Sequence, residues 1–71
     1  MEFFLYRIFR RGTPDIVRIT ADNASDARRV SEDWPFLSGE LFGFNGTAWT
    51  LIAVGTRQWS RKDTGIHWTV K

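Results

Sequence analysis

The sequence predicts an α+β fold. An antiparallel sheet of about five strands, in the order ββαβββ, carries one α-helix packed on one face. Three observations predict it. The chain has 71 residues, enough for one small domain over 1–71. Five short stretches are rich in aromatic and β-branched residues, and only one stretch, residues 24–33, repeats its apolar positions at helical spacing. The stretches are joined by short connections, which favour antiparallel pairing and leave the helix to cross the sheet.

Residues 3–10 read as the first strand. Its even face (Phe4, Tyr6, Ile8) is apolar, and its odd face (Phe3, Leu5, Arg7, Phe9) is mixed. Arg11-Gly12-Thr13-Pro14-Asp15 is turn chemistry. Residues 16–20 form the second strand of a hairpin, with Val17 and Ile19 on one side and Arg18 on the other. Residues 24–33 form the helix. Asn23 supplies the N-cap oxygen, and Asp26 completes a capping-box-like arrangement in the positive field of the helix start. Ala24, Ala27, Val30, Ser31 and Trp34 make one stripe, with Arg28, Arg29 and Glu32 off it. Pro35 disfavours helical geometry at Trp34 and stops the helix near Asp33.

Residues 40–44 and 48–54 are the third and fourth strands, joined at Asn45-Gly46, the strongest hairpin signal in the chain, which fits a type I′ turn. Residues 55–65 read as a polar loop and 66–70 as the last strand. Trp34, Trp49 and Trp68 lie on periodic elements and are expected in or near the core. One helix cannot cover both faces of five strands. The odd face of the first strand, with its aromatics and Arg7, is a candidate for the uncovered one.

Composition narrows the function. The chain is 42% hydrophobic and 15% aromatic, too apolar for a disordered tail. It has no Cys, which excludes disulfides, thiolate zinc sites and a Cys nucleophile. The one His, His67, reads as a strand surface residue, and no metal or cofactor is expected. No apolar stretch approaches the ~20 residues of a membrane span, and Met1-Glu2-Phe3-Phe4 lacks the marks of a secretory signal. No Ser stands in a nucleophile motif, no Gly-rich phosphate loop is present, and Glu32 and Asp33 point apart on the helix. The sequence therefore reads as a binding protein, without a small-molecule substrate.

The charge is segregated. Residues 1–21 carry four Arg and two acids, 22–40 carry two Arg and five acids, and 41–71 carry four bases and one acid. The net charge of +2 is weak for a dedicated DNA reader. Two roles fit Arg28 and Arg29: solvating the helix while pairing with Glu32 or Asp33, or gripping an acidic or phosphate-bearing partner. Arg7, Arg10 and Arg11 form a basic hairpin end. Arg57, Trp59, Arg61 and Lys62 form a basic-aromatic loop. It would lie on a nucleic-acid backbone with a base on the ring, or fold its Trp onto the sheet.

The run Ser25-Asp26-Ala27-Arg28-Arg29-Val30, with Gly39 nine residues after Val30, resembles small phage-encoded anti-CRISPR proteins of strand-strand-helix-three-strand build, in particular a type I-F inhibitor. Asn45-Gly46, Trp49 and Gly65-x-x-Trp68 are similar to its C-terminal half. The resemblance implies a non-enzymatic inhibitor in the cytoplasm of the infected bacterial host. Such a protein binds the backbone subunits of a type I CRISPR surveillance complex and obstructs target DNA. The paired basic residues that contribute to that contact fall on Arg28 and Arg29. The chain departs from the family at Asp33, Trp34 and Pro35 and in a longer loop from Gly55 to Thr64, which leaves subtype and subunit open. The positive net charge argues against DNA mimicry and allows weak non-specific affinity for DNA. The alternative is a small nucleic-acid-binding domain using the sheet and the basic-aromatic loop. A third reading is an assembly module that binds by edge-strand addition.

Overall fold

The computed structural model describes residues 1–57 and 65–71. Its elements are β1 (Glu2–Ile8), β2 (Asp15–Thr20), α1 (Ala24–Ser31), β3 (Ser38–Phe44), β4 (Trp49–Arg57) and β5 (Ile66–Val70). The strands form one antiparallel sheet in the order β2-β1-β3-β4-β5. β2 and β3 flank β1 on opposite sides, so the link between them must pass over β1, and α1 makes that passage. No helix among the described residues is long and apolar enough to cross a membrane.

The helix starts at the N-cap that its sequence predicts, although the Asp26 carboxylate turns to Arg29 and the Asn23 side chain and does not close a capping box. The Asn23 carboxamide oxygen accepts from the Asp26 backbone N–H at 2.8 Å, satisfying one of the unpaired donors of the first turn. Ala27 and Ser31 are fully buried, one turn apart, and small enough for the helix to lie close on the sheet. The Ser31 hydroxyl donates to the Ala27 carbonyl at 2.7 Å, so burying it leaves no orphan polar group. The helix ends two residues before the expected position. Asp33 and Trp34 donate to Val30 and Ser31, three residues back, and tighten the chain into Pro35.

The odd face of β1 is the buried one, contrary to the sequence expectation. Phe3 is 2% exposed and Leu5 0%; with Ile19, Ala27, Phe36, Leu41 and Ala53 they form the core. Arg7 does not disturb this face because its guanidinium is hydrogen-bonded at the strand end. The even face, with Phe4, Tyr6 and Ile8, is uncovered. Both faces of β1 carry large apolar side chains, and the odd one also carries Arg7, so alternation favours the face that the fold leaves uncovered.

Trp34 and Trp49 are also corrections to the expected core. They are 39% and 43% exposed. Trp34 lies past the end of α1, where the tightened turn carries it off the helical stripe. Trp49 lies on the uncovered face against Phe4 and Phe44, with ring centroids 4.5 and 5.3 Å away. Trp68 does pack against the core. Its indole N–H donates to the Glu32 carboxylate at 3.0 Å, tying β5 to the end of α1.

Two irregularities shape β3 and β4. The register shifts beside Leu41 and Phe42, where Leu51 and Ala53 face consecutive β3 residues and Ile52 is extra. Ala53 is in the core and Ile52 packs against it. The bulge thus reverses the alternation along β4: Trp49 and Leu51 share the uncovered face with Val54 and Thr56. The connecting turn is not type I′. That turn requires positive φ at Asn45, whereas only Gly46 (φ +97°) has it there. Four residues, 45–48, separate the paired ends Phe44 and Trp49. The Asn45 side-chain oxygen accepts from the N–H groups of Thr47 and Ala48, both at 2.9 Å, and so builds an Asx turn instead.

Candidate functional site

The sequence-predicted cations fall into different environments. Arg7 is held within the chain. Its guanidinium forks onto Asp15 at 2.8 and 2.6 Å and donates to the Pro35 carbonyl at 3.1 Å. It also stands 4.8 Å from the Phe9 ring and 5.5 Å from the Trp34 ring. These contacts bind the first hairpin to the segment between α1 and β3. The bidentate hydrogen bond from Arg7 holds the Asp15 carboxyl below the usual carboxylate range. At the other end of the hairpin, Arg18 hydrogen-bonds Glu2, lowering the Glu2 pKa and raising its own.

Arg28 and Arg29 sit off the buried stripe of α1, Arg28 half-buried and Arg29 exposed. Arg29 pairs with Asp26, one turn back, at 3.0 Å. It does not pair with Glu32 or Asp33, the partners expected for a solvating role. Among the described residues nothing hydrogen-bonds the Arg28 side chain. Arg10 and Arg11 are exposed in the β1–β2 turn. Arg57 ends β4, and its Nε donates to the Phe36 carbonyl at 3.1 Å. Trp59, Arg61 and Lys62 lie outside the described residues.

The topology brings part of this set together. β1 and β4 run parallel to each other, both being antiparallel to β3, so Arg10 and Arg57 reach the same end of the sheet. There they line a cleft of about 580 Å³ with Phe9 and Leu37, and Glu32 and Asp33 from the end of α1 face them. This mixed-charge cleft can hold a partner that bears both signs of charge. Among the described residues no group of His, Asp or Glu could hold a metal ion.

A second surface was not singled out by sequence reasoning. The face opposite α1 carries Phe4 and Tyr6 from β1, Phe42 and Phe44 from β3, and Trp49 from β4. Across β2, β1 and β3 it holds a depression of about 320 Å³ lined by Phe4, Tyr6, Ile16, Glu40 and Phe42. The register explains the grouping: Phe4 pairs with Phe42, and Tyr6 stands between Ile16 and Glu40. The signal available in sequence was the alternation Glu40-x-Phe42-x-Phe44, which puts a carboxylate in an aromatic row.

Comparison with protein-family models, curated proteins and solved structures returns no match.

Proposed function

We propose that this chain is a non-enzymatic protein inhibitor of phage origin. It binds the backbone subunits of a type I CRISPR surveillance complex in the host cytoplasm and blocks target DNA by steric and electrostatic contact. The observation that carries this reading is the outer surface of α1. Burial of Ala27 and Ser31 leaves Arg28 and Arg29 outside the core, on the helix whose sequence carries the family resemblance. The ββαβββ order of the chain is the build which that resemblance implies. The Arg29–Asp26 pair is exposed, and such pairs are weak, so a partner carboxylate displaces Asp26 at little cost.

The test is co-elution of the purified protein with assembled type I surveillance complexes, followed by a target-DNA gel shift. Co-elution with loss of DNA binding is expected. The double reversal Arg28→Glu/Arg29→Glu is expected to weaken association at least about tenfold, the scale of losing charge-assisted hydrogen bonds at an interface. Unchanged association of that variant would remove α1 from the contact, and absence of co-elution with every subtype would remove the inhibitor reading.

One observation favours the nucleic-acid reading in a restricted form. Arg10 and Arg11 are exposed and have no ion pair among the described residues, at the same sheet end as Arg57. Free DNA would meet this basic end and not the depression on the sheet face, whose charged lining residue is Glu40. Binding to free DNA that falls steeply with salt, and is lost in Arg10→Ala/Arg11→Ala, would support it.

A further inference from the structure

We infer that the depression on the uncovered sheet face is a docking site for an arginine side chain of a protein partner. Its floor and walls are aromatic or aliphatic: Phe4, Tyr6, Phe42 and Ile16. Its one charged group is Glu40, half-buried on the central strand β3. Among the described residues nothing hydrogen-bonds the Glu40 carboxylate or the Tyr6 hydroxyl. The cross-strand neighbours of Glu40 are Tyr6 and Val54, neither of them a cation. Arg18, the guanidinium on this face, stands across from Phe4 and is engaged by Glu2. An open carboxylate thus borders a depression whose other lining groups are three aromatic rings and Ile16.

That arrangement is complementary to a guanidinium. Its planar fork presents two N–H groups to one carboxylate, and its flat face lies on aromatic rings with a smaller loss of hydration than an ammonium suffers. A phosphate backbone is repelled by Glu40. An uncharged apolar partner would leave the carboxylate covered and unpaired. The site lies on the face opposite α1 and is separate from Arg28 and Arg29, so it stands or falls independently of the helix contact.

The probe is Nα-acetyl-arginine amide, titrated into isotope-labelled full-length protein and read by backbone amide and Tyr6 ring NMR shifts. The uncharged isostere Nα-acetyl-citrulline amide is the control. Saturable shifts centred on Tyr6, Glu40 and Phe42 with arginine, and at least about fivefold weaker binding of citrulline, are expected from loss of a charge-assisted pair. Glu40→Gln should reduce arginine binding to the citrulline level. Ile16→Lys, at a position 65% exposed and therefore tolerant, should weaken it by bringing an ammonium to the rim of the depression, across Tyr6 from Glu40, where it repels a guanidinium. Equal response to the two probes, or arginine binding that survives both substitutions, would overturn the site. So would the same shifts on adding oligothymidylate, or on raising protein concentration alone, which would assign the face to nucleic acid or to a second copy.

Discussion

Gly55 shows how a single residue sets the packing of this sheet. A Cβ there would stand 2.8 Å from Ile66 Cγ2 and 2.9 Å from the Trp68 ring. The ring cannot swing away freely, because its N–H is fixed on Glu32. Gly55→Ala is therefore expected to destabilise the fold by about 1–3 kcal/mol, the range for overpacking a well-filled core. Urea unfolding followed by Trp fluorescence measures it, and unchanged stability would mean that Trp68 is not pinned. In sequence Gly55 reads as the start of a loop. Its place inside β4 depends on Trp68, thirteen positions away, and local pattern does not supply that pairing. Glu40 is legible only in part: the alternation puts it in line with Phe42 and Phe44, but only the register sets it beside Tyr6.

Among the elements, α1 was the most legible, because its start is encoded within four residues. Asn23 and Asp26 form the cap at their own backbone, and no distant partner is needed. Asn23→Ala should cost about 1 kcal/mol, and Asn23→Asp should retain most of the stability, since aspartate caps equally well. In a domain of this size that loss lowers the melting temperature by roughly 4–8 °C, readable by circular dichroism. Equal melting of the two variants would show that the cap does not limit stability. The strands were legible in number and order, but less so in facing and in their ends. β1 carries large apolar side chains on both sides, so its buried face follows from where α1 lies. β4 reverses its alternation at Ile52, and a period-two reading cannot anticipate that. Trp49 was expected in the core for that reason, and Trp34 because the helical stripe was carried past the turn that ends α1.

The molecule as a whole couples its stability to pH through the β1–β2 hairpin. Asp15 and Glu2, near opposite ends of that hairpin, are held by Arg7 and Arg18, and both carboxyls titrate below their ordinary values because of those hydrogen bonds. A carboxylate with a depressed folded-state pKa binds fewer protons in the folded protein than in the unfolded chain. Its stabilisation is complete above the unfolded pKa and is lost as pH falls through the folded one. The urea midpoint should therefore hold near neutrality and decline once pH drops below about 4, the ordinary carboxylate range. The net charge of +2 grows more positive in the same interval, and self-repulsion adds to the decline. Salt separates the two causes, because it screens diffuse repulsion and exposed pairs more than sheltered ones. The two carboxylates are equally exposed, Asp15 at 46% and Glu2 at 47%, but their partners differ: Arg18 is 63% exposed and Arg7 13%, beneath Trp34 and Phe9. In high salt, Asp15→Asn should flatten the acid decline more than Glu2→Gln does. If Asp15→Asn flattened the high-salt decline no more than Glu2→Gln did, the Arg7 brace would carry no larger share of the pH dependence than the exposed pair.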